Sequence, residues 1–567
     1  MLFQRQYVES TFNLKTPDEV FGTITVLTPN ATEKQVRNLG DQARKIADFY
    51  QLANRFDDIE IHQKWIDVSQ GLVNQISIAL RPLPFKWIWA QDEYVETKSR
   101  WRIQQEFASA AGQLLIALSE LLELLSLLLS PSQFEQSLNW LQIIEALATY
   151  TSVTDPWSNS KSAEISNRLI DKYSSVLIIE IDQVANNILK NTLRPIFQSA
   201  RHKKVTPAGR RVVADYDSPG YRRDHVDINA DADHNMPWMV ERPEAESLLH
   251  FVLTHARGKF TETNWSLLVP SVLVIMDDPD PVYKTMGVSS LWLLISKTRP
   301  EFVNLTGVAP VFWDTLITCL AFLPLGSSNI TTGQSVKLLQ ASFDCLILLS
   351  GIMAHDSGAK SISNKIASST LTWDDTLNTT QGNQQHHPAR VEFKRKRADL
   401  LAEVIADGVC HGMQICGDKV ELATVLITQA GKVAQADGIF FVRHLQQVLK
   451  LIVNVLSDPF GMEYLPLTLA GLNSLNAIMT NTEPRIANYK YLITKGLILS
   501  WKKLLEKESS ITIGDNSALA QVRQNILSST GQLKDIVYKF EGHEDWDEMI
   551  EQSTKLDPSL KVLFNKK

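Results

Sequence analysis

From Leu445 to Leu456 the apolar residues fall at Leu445, Val448, Leu449, Ile452, Val455 and Leu456. That i, i+3, i+4, i+7 spacing places them on one face of an α-helix and on no single face of a strand. The same period runs through nearly every apolar stretch, and no convincing strand alternation interrupts it. Short β-branched pieces such as VLIIEI, 176–181, are ambiguous alone but sit inside a longer helical pattern. The chain reads as all-α.

Paired helical stripes recur in the second half. Leu268–Met276 precedes Pro281–Ile295, Val311–Leu323 precedes Val336–Met353, and Val442–Leu456 precedes Tyr464–Met479. Their spacing is roughly the 40–47 residues of HEAT-type repeats. One pair cannot bury both its apolar faces, so neighbours must stack. The expected fold is a HEAT- or armadillo-like α-solenoid of stacked antiparallel helix pairs. Changes in polarity divide it into a helical-repeat block (1–202), a polar linker (203–245), central repeats (246–355), a polar insertion expected to be mobile (356–392) and C-terminal repeats (393–567).

Composition narrows the function classes. With 567 residues, 44% apolar and 21% charged, the chain can bury a large core. A net charge of −7 argues against direct nucleic-acid binding, which needs a basic footprint. Cys319, Cys345, Cys410 and Cys416 are too few for a disulfide framework and suit a reducing compartment. The opening MLFQRQYVES has no apolar signal-peptide core, so export is not expected. Leu114 to Ser130 (LLIALSELLELLSLLLS) tests the membrane reading. Glu120 and Glu123 would each cost roughly 2.5 kcal/mol or more at mid-bilayer, so a helix buried among helices is expected, and no membrane contact.

The sequence Asp-Asp-Pro-Asp-Pro at 277–281 raises the question of chemistry. Asp277, Asp278 and Asp280 could collect Mg²⁺ or Ca²⁺. A calcium loop, however, needs a D-x-[DN]-x-[DN]-G pattern, and Val282 follows here. The alternative is a corner between helices, with Asp280 as N-cap, Pro281 at the first helical position and Pro279 ending the preceding helix. Pro270 is placed early in that preceding helix, where a proline costs little. In the following helix Tyr283, Met286, Ser290 and Leu294 form one apolar face, with small Gly287 allowing close approach. Val288, Trp292 and Ile295 form another, as in a helix sandwiched within a stack. The corner reading prevails, with no catalytic, cofactor or metal residue assigned.

Other constellations are weaker. Ala430-Gly431-Lys432-Val433 lacks the first glycine and the hydroxyl of a phosphate loop. Cys410, His411 and Cys416, like His386-His387, lack the two close pairs of a zinc site. Gly542-His543-Glu544 lacks the second histidine of H-E-x-x-H. Lys394, Arg395, Lys396 and Arg397 form the sharpest basic cluster. It reads as a nuclear-localisation or acidic-partner patch, or as a solvated helix edge offset by Glu392 and Asp399. A second basic stretch, around Arg201 to Lys204, Arg210-Arg211 and Arg222-Arg223, is balanced by nearby aspartates. Trp87, Trp89 and Trp101 suit a core. Trp546, in the acidic run EGHEDWDEMIE, would suggest partner contact if exposed.

One resemblance narrows the class. Pro270, Ile275 to Asp278, Lys284 and Gly287, followed by Leu305-Thr306-Gly307-Val308, Phe312, Leu320 and Leu323-Pro324, resemble the family of Tel-two-interacting protein 2. The likeness is clear over about 260–350 and diffuse elsewhere. It implies a non-catalytic α-solenoid subunit of the TTT co-chaperone complex, partnered by Tel-two and Tel-two-interacting protein 1. It further implies work with the ninety-kilodalton heat-shock chaperone on phosphatidylinositol-3-kinase-related kinases, in cytoplasm and nucleus. The alternatives are another HEAT scaffold, such as a transport adaptor, and an all-α enzyme using Mg²⁺ at the aspartates.

Overall fold

The computed structural model describes residues 33–53, 63–82, 94–153, 155, 157–176, 181–197, 205–206, 208–211, 242–324, 330–355, 388–510 and 516–564. Helices dominate them, and the β pairing among them is one isolated bridge, Val205 to Arg211. The chain divides into two compact units, Met1–Ile275 and Met276–Lys567.

The first unit contains α1 (Glu33–Ala53), α2 (Gln63–Ala79), α3 (Tyr94–Leu128), α4 (Pro131–Ser137), α5 (Trp140–Ala148), α6 (Ser160–Val176), α7 (Ile181–Asn187), α8 (Arg194–Phe197), α9 (Ala245–His255), α10 (Phe260–Thr263) and nearly all of α11 (Trp265–Met276). A π-helical segment, Ile188–Leu193, joins α7 to α8. Helix α3 is 35 residues long and packs against α1, α2 and α6. Its Leu114, Leu118, Leu121, Leu122 and Leu125 are completely buried, as expected for this stretch. Glu123 turns outward to Lys172 of α6, 3.1 Å away. Among the described residues three helical stretches, 105–128, 332–354 and 420–457, are long and apolar enough to cross a membrane by length and composition. Much of each is packed against neighbouring helices instead.

The second unit continues with α12 (Pro281–Ser296), α13 (Pro300–Thr306), α14 (Ala309–Cys319), α15 (Thr332–Ala354), α16 (Pro388–Glu403), α17 (His411–Cys416), α18 (Val420–Asp437), α19 (Leu445–Ser457), α20 (Leu465–Asn481), α21 (Glu483–Ile486), α22 (Lys490–Ser510), α23 (Asn516–Phe540), α24 (Glu544–Leu556) and α25 (Lys561–Phe564). Here α14 pairs with α15, α16 with α18, α19 with α20, and α22 with α23. The second members form a continuous row, α15 on α18, α18 on α20 and α20 on α23, with α12 against α15. This is the stacked-pair ladder of an α-solenoid, each rung burying the face its neighbour leaves open. Helices α24 and α25 pack on α23.

Local sequence sets many of the boundaries. Thr331 and Gln334 form a reciprocal capping box at the start of α15. Gly307 ends α13 in the left-handed conformation at φ 69°, where a side chain would be strained. Gly431, rejected as a phosphate-loop glycine, lies within α18 against α20, where an added Cβ would sit 2.7 Å from the Ser474 hydroxyl. That hydroxyl bridges the two helices, donating to the Ile427 carbonyl at 2.7 Å.

Three expectations are corrected or fall outside the described residues. Helix α11 begins at Trp265, so Pro270 lies inside it rather than near its start. Asn264 accounts for the extra turn, its carbonyl accepting from Leu267 and Leu268 at 3.0 and 3.1 Å. Ser266, four residues before the proline, is exposed to water, which can serve the carbonyl Pro270 leaves without a donor. Helix α12 is not sandwiched throughout, because Val288 and Ile295 are buried but Trp292 is 43% exposed. Most of 203–241, all of 356–387, the 177–180 part of the β-branched piece, Trp87, Trp89 and the Trp101 side chain lie outside the description.

Candidate functional site

The aspartate–proline corner joins α11 to α12. Asp280 adopts extended backbone geometry before Pro281, and its Oδ1 accepts from the Val282 amide at 2.6 Å. It is therefore the N-cap of α12, with the proline at the position where a missing N–H costs nothing. Asp278 folds back, its Oδ1 accepting from the Asp280 amide at 2.9 Å. Asp277 is exposed, whereas Asp278 and Asp280 are buried. The three carboxylates do not converge: two are committed to backbone amides and one faces outward.

Lys284 completes the corner in a way its sequence position does not suggest. It is only 5% exposed, and its Nζ donates to the Met276 carbonyl at 2.5 Å. The ammonium also lies 5.0 Å from the centre of the Phe322 ring. A cation thus sits at the C-terminal end of α11, where carbonyls are unpaired and the helix dipole is negative. Burial drives the Asp278 carboxyl up to about 7, and the Asp280 charge adds to the rise; the Asp280 amide and Lys284 oppose it. Burial likewise raises Asp280, against the pull of the Val282 and Tyr283 amides. The remaining oxygen of Asp278, Oδ2, is buried without a hydrogen-bond partner.

The lysine clamp recurs down the ladder. Lys419, just before α18, donates to the Pro324 carbonyl, and Lys503 of α22 donates to the Asp458 carbonyl just after α19. Asn304 does similar work at the end of α15, donating to Ile352 and His355 carbonyls at 2.8 and 3.0 Å. Gly307 of the family-like pattern is accordingly part of a helix end, Pro324 lies in the connection after α14, and Gly287 is a buried position of α12.

The basic cluster lies on α16, and its four residues do not act together. Lys394 and Arg395 are exposed. Lys396 is exposed too and pairs with Glu392 at 3.2 Å. Arg397 is half-buried against α15, donating to Ser350 Oγ at 3.3 Å and to the Ile347 carbonyl at 3.4 Å. Only the first three project from the surface. Trp546 of α24 is 0% exposed and meets Phe564 of α25 edge to face at 6.3 Å. It anchors the last helices instead of presenting a ring to a partner.

Cys410 ends a π-helical segment, Val404–Cys410, and Cys416 is buried at the end of α17. Among the described residues no three His, Cys, Asp or Glu side chains gather as metal ligands. His386 and His387 fall outside the description. Lys432, the would-be phosphate lysine, pairs with Asp344 of α15 at 2.7 Å.

Two solved structures align along the chain, a crystal structure of SYS-1 and a crystal complex of SYS-1 with POP-1. Each is 11% identical with a TM-score of 0.23; the first covers 93% of this chain and 98% of its own, the second 100% and 99%. So loose a superposition leaves the fold resting on the chain's own packed helices. The sequence also matches the Tti2 family over residues 143–463, a span that contains the aspartate–proline corner, the lysine clamps at Lys284 and Lys419, and the basic helix. That match takes in more than half of the 567 residues, and the chain belongs to the Tti2 family.

Proposed function

We propose that this chain is a non-catalytic scaffold of the TTT co-chaperone complex. It binds Tel-two and Tel-two-interacting protein 1 and acts with the ninety-kilodalton heat-shock chaperone. Its clients are phosphatidylinositol-3-kinase-related kinases, whose maturation, stability and assembly it supports in cytoplasm and nucleus. Family membership carries this reading. The corner geometry supports a non-enzymatic role, because Asp278 and Asp280 serve their own backbone. A ladder of helix pairs offers a long surface on which another helical-repeat protein can lie, and such heterologous contacts need large interfaces.

Affinity purification of the tagged full chain followed by mass spectrometry tests the proposal. Recovery of Tel-two and Tel-two-interacting protein 1 in near-equal amounts, with kinases and chaperone at lower yield, is expected. Recovery of transport factors in their place would reassign the chain as a transport adaptor.

A further inference from the structure

The first unit buries two carboxyl groups that no scaffold role explains. Asp155 lies in the connection between α5 and α6, and Glu246 in the first turn of α9; both are more than nine-tenths buried. The Asp155 main chain is fixed, its carbonyl accepting from the Ser158 amide at 3.0 Å. Trp157 beside it is buried and donates Nε1 to the Thr149 carbonyl at 3.0 Å. In their charged forms the two carboxyls would repel one another, and the Asp155 Oδ2 atom has no hydrogen-bond partner.

The nearby arginines are committed elsewhere. Arg242 donates Nε to Glu244 Oε1 at 2.5 Å and approaches Glu145 of α5 at 3.6 Å. Arg81 lies 3.4 Å from Glu244. The buried Tyr150 hydroxyl donates to the Leu80 carbonyl at 2.6 Å. The α7 helix and π segment packed on α9 contribute Asp182 and the exposed Lys190, and α9 itself carries His250 and His255. Among the described residues no ion pair reaches Asp155 or Glu246. Two such groups hold their charges only at considerable cost, since burial without a cation favours the neutral form.

We infer that Asp155 and Glu246 form a proton-dependent latch seating the start of α9 on the α5–α6 connection. It is closed while the pair holds its protons and loosens as they leave. Burial drives Asp155 up to about 7, Ser247 pulling the other way, and drives Glu246 well above its ordinary range, with repulsion from Asp155 adding to it. Both folded values are raised. The latch is therefore complete below the ordinary carboxylate range and weakens as pH rises from about 4, Asp155 contributing up to about 7 and Glu246 beyond it. Each pH unit over which the folded state must yield one extra proton shifts its equilibrium about tenfold.

Hydrogen exchange of the full chain between pH 6 and 8.5, corrected for the intrinsic pH dependence of exchange, tests this. Peptides covering 245–255 and 149–159 are expected to exchange several-fold faster at the upper end, while those from α22 and α23 hold steady. Asp155→Asn and Glu246→Gln are each expected to lessen the rise, and the double variant to flatten it. Constant protection of 245–255 in the unsubstituted chain overturns the latch, whatever the variants do. A rise that survives the double substitution Asp155→Asn with Glu246→Gln in a folded variant overturns it as well.

Discussion

The fate of Asp278, Asp280 and Lys284 shows how one residue's neighbours decide between chemistry and construction. Asp280 was legible as a cap because its partner amide is two positions away. Lys284 was visible only as one position of the family-like pattern, since its carbonyl partner, Met276, lies eight residues back across the turn. Replacing Lys284 with methionine keeps the stem and removes the donor, leaving the buried Met276 carbonyl unpaired. A loss of about 1–3 kcal/mol in urea unfolding is expected. Asp278 supplies a pH signature. Its folded value, raised to about 7 chiefly by burial, means that its contribution to stability is present at low pH and lost as pH rises from about 4 towards 7. Asp278→Asn is expected to remove up to roughly 1.4 kcal/mol of that decline per pH unit, read from unfolding curves at pH 5, 6 and 7.

Helix existence was largely written in the 3.6-residue period: the six helices expected as pairs in the second half are present at nearly the expected bounds, and α14 packs on α15 and α19 on α20 as expected. Two features escaped. Pro270 went inside α11 because Asn264, beyond the apolar stripe, starts the helix earlier. Trp546 was ambiguous because α24 is acidic on most sides, and its burial depends on Phe564, eighteen positions onward. Among the described helices α24 and α25 rest chiefly on α23, so losing their anchor is felt locally. Trp546→Ala is expected to cost about 3–5 kcal/mol of local stability. Hydrogen exchange is expected to rise across 544–564 while α14 and α15 stay protected; uniform loosening of the second unit would contradict a local role.

For the whole molecule, the sequence pointed to a scaffold through an absence of catalytic patterns, while the resemblance carried the specific complex. Which surfaces meet partners was not legible: Lys394, Arg395 and Lys396 do project, but Arg397 and Trp546, equally plausible in sequence, are held by neighbouring helices. A chain ending just before Lys394 loses the rungs from α16 onward and uncovers the α15 faces they bury. Such a truncation is expected to lose Tel-two and Tel-two-interacting protein 1 on co-purification. Circular dichroism separates that outcome from misfolding, and a folded truncation that retains both partners would place the binding surface in the earlier helices.

The lysine clamps make the turns observable one at a time. An amine must be accessible to be acylated, and Lys284, buried and donating to Met276 from inside the corner, is not accessible while the corner is shut. Lys419 and Lys503, half-covered at their own helix ends, form a graded series with it. Brief treatment with an acylating reagent, followed by peptide mapping, would thus record when each turn opens. Shielding of one lysine after a partner is added would locate the rung that partner steadies, without any substitution in the chain.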